Sequence, residues 1–283
     1  MSRINTKPVI SCLCISNHRP HHLRKAIACF MAQTYPNKEL VILSEKPDPE
    51  YEALIAPYST ESIKYYNVGG PKLTLGECRN MAIEKSTGDY FCIWDDDDWY
   101  HAQRLEIQLE EILRSNKSAS VLTFCLLFDS VNKAAHLSLP VLPPQTLMCK
   151  KSIVTKDIMY PPWNREEDAY FFYTLVVNNI LYPIINPILY IYVFHGGNTW
   201  NLEHFALSQG YKMSDEATRI IGDIVEGNYS CEEGSGLLSD PRILGELNYL
   251  YDFRLPAMFK DGMPKPEPVN AEESNPDQYF LSF

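Results

Sequence analysis

No run of about 18 apolar residues occurs in the chain, so a membrane-spanning helix is not expected. Positive charge is scarce: 25 Lys and Arg stand against 36 Asp and Glu, for a formal net charge of −11. Broad binding of nucleic acid or of an anionic membrane needs a basic surface, and this balance argues against both. An anionic small molecule is still accommodated if a cation and a few arginines are placed locally. Eight cysteines are present, but none forms a CxxC pair, and no zinc site is legible. Cys12 and Cys14 point to the same face of an apolar run, which suggests packing, and buried free thiols in a reducing compartment are expected. Met1 to Lys7 is polar and the apolar run behind it is short, so no signal peptide is expected. There is no internal repeat.

What is present is enough for a core. The chain has 283 residues, 45% of them apolar, which suits one large α/β domain or one domain with an appended subdomain. Residues 8–15 form an apolar run rich in β-branched members and predict a first strand. A helix follows over about 21–33, with Leu23, Ile27, Phe30 and Met31 at helical spacing, and Tyr35-Pro36-Asn37 stops it. A second buried strand is predicted over 39–43. Strand, helix and strand within about 35 residues make a βαβ unit and hence a parallel sheet. Further on, the pattern predicts a short helix over 51–58, a strand over 63–67 and a helix over 75–85. It then predicts a helix over 103–114, a strand over 121–128 and a hairpin turn at Asn132-Lys133. A proline-broken stretch over 137–145 precedes a helix over 166–178 and two apolar runs over 181–185 and 189–194. Helices are predicted beyond about 203, most clearly over 237–250, before a Pro-rich acidic tail from Met263. Within that tail Tyr279-Phe280-Leu281 is a candidate docking segment.

The most informative stretch is Tyr90-Phe91-Cys92-Ile93-Trp94, which runs directly into Asp95-Asp96-Asp97-Asp98. A buried strand ending in acids puts negative charge at the carboxyl edge of a sheet, where open α/β folds bind ligands. Four adjacent carboxylates repel one another, so a cation is expected there. Mg²⁺ or Mn²⁺ fits best, because such ions take oxygen ligands and bridge phosphates. The competing explanation is a solvated acidic loop capping the next helix.

The order of motifs resembles a known family. Ile10 to Arg19 is followed by Tyr35-Pro36-Asn37-Lys38-Glu39-Leu40 and by Gly76-x-x-Arg79-Asn80-x-Ala82. Gly88-Asp89-Tyr90, Asp95-x-Asp97-Asp98, Glu167-Asp168 and a late His195 complete the series. Together these resemble the family 2 glycosyltransferases. The resemblance is strong over 8–110, moderate over 146–200 and absent afterwards. It implies an α/β GT-A fold, a Rossmann-like, mostly parallel central sheet flanked by helices, here with a mainly helical C-terminal extension. The implied organisation is a GT-A domain over 1–200, whose nucleotide-sugar half is 1–110 and whose acceptor and catalytic half is 111–200. Residues 201–283 would be the extension and tail.

The resemblance also implies roles. Transfer from a nucleotide diphosphate sugar needs a cation for the leaving diphosphate, a base for the acceptor proton and a donor held for in-line attack. Asp95-x-Asp97 matches the family's DXD motif, so Asp95 would bind the ribose or the metal and Asp97 would ligate the metal. Asp96 is grouped with the donor site, and Asp98 is adjacent enough to take either duty. His195 would complete a mixed O/N metal site. Asp168 resembles the catalytic base, although a carboxylate at a helix start is also favoured by the dipole and by capping. Trp163 and Glu167 would face the acceptor. Trp200 would cover the donor or anchor the core. Ser16, Asn17 and Arg19 end the first strand and Glu45 the second, all near the expected nucleotide. Family members commonly carry an Asp pair where Ser44-Glu45 stands, so the contact to the base differs here. Arg79 can meet a diphosphate bidentately, or merely pair with Glu77 or Asp89 at the surface. His18, His21 and His22 lack ligand spacing and are read as surface residues.

The resulting expectation is a metal-dependent inverting glycosyltransferase using Mn²⁺ or Mg²⁺ and a nucleotide diphosphate sugar, with a UDP-sugar as the leading donor. Its acceptor would be a saccharide or lipid-linked glycan, and its location cytoplasmic, with peripheral membrane association as an option. A non-catalytic nucleotide- or glycan-binding member of the same fold is the alternative. A nucleotidyltransferase would need a Gly-rich, basic phosphate loop after the first strand, which Ser16-Asn17-His18-Arg19 does not supply.

Overall fold

The computed structural model describes residues 7–58, 61–199, 201–248 and 250. Trp200 and the tail from Met263, with its candidate docking segment, lie outside the described residues.

Strand β1 (Ile10–Ile15) is buried at five of its six positions. Pro20 starts α1 (Pro20–Met31), where its missing N–H leaves no helical bond unmade. Strand β2 (Lys38–Ser44) pairs parallel with β1. Asp48 caps α2 (Pro49–Ile55) by accepting from Glu50 N, and β3 (Ile63–Asn67) pairs parallel with β2. Helix α3 (Leu75–Lys85) opens with a capping box in which Thr74 and Glu77 satisfy each other's backbone amides. Then come β4 (Tyr90–Ile93), the short β5 (Trp99–Tyr100), α4 (Arg104–Ser115), β6 (Ala119–Leu122), β7 (Leu126–Asp129), β8 (Ala134–Ser138) and β9 (Met148–Lys150). Helix α5 (Glu167–Val177), β10 (Leu181–Ile184) and β11 (Tyr190–Phe194) lead to α6 (Leu202–Leu207), β12 (Gln209–Lys212), α7 (Asp215–Glu226), α8 (Cys231–Leu238) and α9 (Pro241–Glu246).

The central sheet has the order β10-β6-β9-β4-β1-β2-β3 and is parallel except for β9, which runs against β4 and β6. This is the mostly parallel α/β sheet expected. Side chains alternate across it and define two cores. Cys12, Cys14, Leu40 and Ile42 pack with Leu23 and Phe30 of α1 and Leu105 of α4. Leu13, Val41, Phe91 and Ile93 pack on the opposite face with Ile83 of α3 and Phe171 of α5. Trp94 is fully buried, stacks on Tyr100 at 3.9 Å and donates its indole N–H to Ala26 O. Burying such a ring is worth about 5 kcal/mol of transfer free energy, so the strand end is held firmly where the acids begin. All eight cysteines are free thiols, with Cys12 and Cys14 on one face as expected.

A second sheet, β12-β8-β7-β11-β5, stands beside the first. Its existence corrects one expectation. The apolar run 121–128 is not one strand: β6 belongs to the central sheet and β7 to the second, and the chain crosses between them at Thr123-Phe124-Cys125. Continuous hydrophobicity conceals such a break because both halves are buried. The expected hairpin turn is present between β7 and β8, with Asp129 Oδ1 accepting from Val131 N and Asn132 N. The helix expected over 237–250 is also two helices. Asp240 caps α9 and Pro241 cannot continue α8, so the chain turns at Ser239-Asp240. The extension contributes β12 to the second sheet as well as helices. No helix among the described residues is long and apolar enough to cross a membrane.

Candidate active site

Four acids leave β4, and the fold gives each a different environment. Asp98 points inward. It is buried, accepts from the Tyr190 hydroxyl and from Val193 N at 3.0 Å, and burial pushes its carboxyl well above the usual range. Asp98 therefore spends its acceptors on β11, two residues before His195, instead of sharing the duties of its neighbours.

Asp97 turns the other way. Its Oδ2 lies 2.8 Å from Arg19 Nη1 and 3.3 Å from His195 Nε2. Burial opposes its ionisation, but the hydrogen bond with His195 and the charge of Arg19 outweigh that and hold the carboxyl below its ordinary value. Asp96 is buried against the same guanidinium, with Arg19 Nη2 2.5 Å from Oδ1, and it accepts from Ser16 Oγ. The Arg19 contact to Oδ1 is close but poorly aligned for a hydrogen bond, leaving that oxygen without a directional donor. Burial, reinforced by the Asp97 charge, pushes Asp96 up to about 7. Asp95 is half-buried, lies 4.0 Å from Arg79 Nη2, and is pushed up chiefly by burial.

Arg79 ties this loop to the other half of the site. Only 6% exposed, it donates from Nε to Glu167 Oε1 at 3.1 Å and lies over the Tyr160 ring. The alternative surface pairing does not occur: Glu77 caps α3, and Asp89 accepts from Val9 N. Glu167, expected at the acceptor, is 2% exposed and committed to Arg79. Its neighbour Asp168 stays half-buried in the first turn of α5, and among the described residues its side chain accepts from its local Ala169 N. Asp168 is near enough that its charge adds to burial in raising both Asp95 and Glu167. The approach of α3 to this loop depends on Gly76. Its amide donates to Trp163 O, and a Cβ there would stand 1.8 Å from Pro161 O. Trp163 is exposed and meets Tyr170 edge to face at 5.3 Å.

The remaining expected residues divide. Ser16 bonds to Tyr51 OH and Asp96, and Asn17 Oδ1 accepts from Glu45 N at 2.7 Å, so both brace the strand ends. Glu45 is half-buried beside them. His195 accepts at Nδ1 from Gly197 N at 3.3 Å, which directs Nε2 to Asp97. Two histidines near the site were not foreseen. His22, read as a surface residue, packs its ring 4.9 Å from that of His195. His204 of α6 is lowered by burial, an effect that the charge of Asp168 opposes. The sequence signal for either was absent, because each partner is remote along the chain.

A carboxylate and an imidazole 3.3 Å apart, with a second carboxylate close by, form a donor set that suits a divalent ion of intermediate softness. Among the described residues no three His, Cys, Asp or Glu side chains converge at ligand spacing.

A mostly parallel α/β sheet with an acidic turn at the carboxyl end of its central strand defines a GT-A architecture, and solved structures share it. TarS 1-349 of S. aureus in complex with UDP-GlcNAc aligns with TM-score 0.55 and 13% identity, covering 85% of this chain and 80% of that one. A mannosyltransferase of Pyrobaculum calidifontis, in complex with GDP-Man and Mn²⁺, aligns with TM-score 0.53 and 10% identity over 88% and 81%. The chain belongs to glycosyl transferase family 2, whose model matches residues 12–173, more than half of its length. Among curated relatives, an uncharacterized glycosyltransferase of Rickettsia typhi is 24% identical over 51% of this chain and 44% of its own. The Escherichia coli UDP-Glc:alpha-D-GlcNAc-diphosphoundecaprenol beta-1,3-glucosyltransferase WfgD is 26% identical over 39% and 43%. These matches span less than half the length of either relative.

Proposed function

We propose that the chain is a metal-dependent inverting glycosyltransferase. It moves a sugar from a nucleotide diphosphate sugar, with a UDP-sugar as the leading candidate, to a hydroxyl of a saccharide or lipid-linked glycan. The observation that carries this reading is the Arg79 bridge. One buried guanidinium lies 4.0 Å from Asp95 of the acid loop and 3.1 Å from Glu167, the residue beside Asp168, which supports reading the acid loop and Asp168 as parts of one site. Asp97 and His195 hold the cation, which when bound offsets the charge of the leaving diphosphate. Asp95 and Arg79 face the donor. Asp168 takes the acceptor proton as the new bond forms, and needs only to be ionised to do so. Trp163 and Tyr170 offer an apolar platform to an acceptor sugar. UDP-GlcNAc on TarS, GDP-Man with Mn²⁺ on the archaeal enzyme, and the UDP-Glc in the name of WfgD support a nucleotide-sugar donor.

The test begins with calorimetric titration of UDP and GDP in Mn²⁺ and then in EDTA. One nucleotide should bind only with the ion present. Asp168→Asn should keep that binding and lower turnover by roughly 10²–10⁴-fold. Failure of both nucleotides to bind would end the reading, and full turnover by Asp168→Asn would remove Asp168 as base. Binding without turnover of any donor would favour the non-catalytic alternative.

A further inference from the structure

Cys29 and Cys231 are 202 positions apart, yet their sulfurs lie 3.1 Å from each other. Cys29 is on the buried face of α1, and Cys231 is the first residue of α8, half-buried and therefore reachable from solvent. We propose that this pair is a reversible modification site, closed to a disulfide by exchange with a low-molecular-weight disulfide such as oxidised glutathione. The cross-link fastens the C-terminal extension to the first helix of the nucleotide-binding half.

The two thiols differ in the way such an exchange requires. Cys231 stands at a helix start behind the capping Ser230, where backbone N–H groups and the helix dipole favour a thiolate. Its hydrogen bond with Cys29 lowers its pKa further, against the opposing effect of burial, while the same bond and burial push Cys29 up. Half-buried at the start of α8, Cys231 is the thiol that a dissolved disulfide meets first, so it is the attacking thiol and the buried Cys29 the resolving one. The Cys231 thiolate attacks one sulfur of the small disulfide, forming a mixed disulfide and releasing one small thiolate, which takes up the proton Cys231 lost. Cys29 then attacks the Cys231 sulfur, loses its own proton and expels the second small thiol. Two protein thiols are oxidised and one small disulfide is reduced to two thiols. The sulfurs need to close by about 1 Å to reach bonding distance.

A second close pair provides a contrast within the same molecule. Cys12 and Cys92 have sulfurs 3.6 Å apart on adjacent parallel strands, but both are fully buried. Neither can meet a dissolved disulfide, so exchange cannot begin there. At the other pair, α8 is already seated on the segment after the acid loop. Ser235 Oγ accepts from Ala102 N at 2.8 Å, and His101 Nε2 lies 3.2 Å from Ser235 O. A bond at Cys231 secures that contact covalently and closes a loop of about 200 residues in the unfolded chain, where cross-links restrict most.

The experiment treats the folded full chain with oxidised glutathione, alkylates the remaining thiols and maps non-reduced peptides by mass spectrometry. The expected result is one linkage, Cys29 to Cys231, with two of the eight thiols protected. Dithiothreitol should reverse it, and the unfolding midpoint should rise in the wild type but not in Cys231→Ser. Cys29→Ser should instead accumulate the glutathione adduct on Cys231. A stable adduct on wild-type Cys231 with Cys29 still alkylated, no oxidation at either residue, or pairing of Cys12 with Cys92 would each overturn the proposal. Should Cys29→Ser fail to fold, the wild-type map and Cys231→Ser still decide the question.

Discussion

Asp97 Oδ2 and His195 Nε2 lie 3.3 Å apart although 98 positions separate them. The contact depends on β11, which brings His195 to the end of β4. Removing either partner should therefore have the same effect. Asp97→Ala and His195→Ala should each weaken Mn²⁺ binding by about 10–100-fold or more, read by electron paramagnetic resonance of the free ion. Undiminished affinity in both variants would place the cation elsewhere.

The Tyr190 hydroxyl on Asp98 is a buried hydrogen bond to a carboxyl group. Tyr190→Phe should cost about 1–3 kcal/mol of unfolding free energy in urea, because it leaves Asp98 under-satisfied. Since Asp98 also holds Val193 N, Mn²⁺ affinity should fall in the same variant without any change in a ligand.

Arg79→Met should destabilise the fold by about 3–5 kcal/mol, because Glu167 is left buried without its cation. Adding Glu167→Gln should restore a large part of that loss. Additive losses in the double variant would show that the pair is not coupled.

Asp96 gives a pH signature whose sign is fixed. Its carboxyl titrates near 4 when unfolded but is pushed up to about 7 when folded, so between these values the folded state binds the extra proton. Stability from this group is present at low pH and is lost as pH rises from about 4 through 7, by up to about 4 kcal/mol. Asp96→Asn should flatten that part of the profile, gaining on wild type between pH 5 and 8 in urea melts. Parallel profiles would mean that Arg19 keeps Asp96 ionised throughout.

Much of this arrangement could be read from residue order. The parallel sheet followed from the first βαβ unit, and the motifs led to Asp97 and His195, which meet at 3.3 Å, and to Arg79, which lies between Asp95 and Glu167. Other motif residues proved to be staples. Glu39 accepts from Ser11 Oγ, Thr87 N and Lys64 Nζ, and Gly88 is required because a Cβ would stand 2.5 Å from Ser11 Oγ. What stayed hidden was long-range. Asp98 looks like its three neighbours until β11 arrives 95 positions later, and His22 looks like a surface residue until it meets His195. Periodicity also cannot report that an apolar run changes sheets, as 121–128 does.

Strand β5 pairs directly with β11, Trp99 opposite Ile191 and Tyr100 opposite Tyr190. The two ends of the long excursion between them are thus pinned side by side, next to Asp98. The β7–β8 turn is fastened to the same place, since Ser130 N and Ser130 Oγ both donate to Phe194 O, the residue before His195. The β5–β11 pair therefore acts as a clasp: a shift of either strand would be felt at once at Asp98 and at the end of β11 that carries His195.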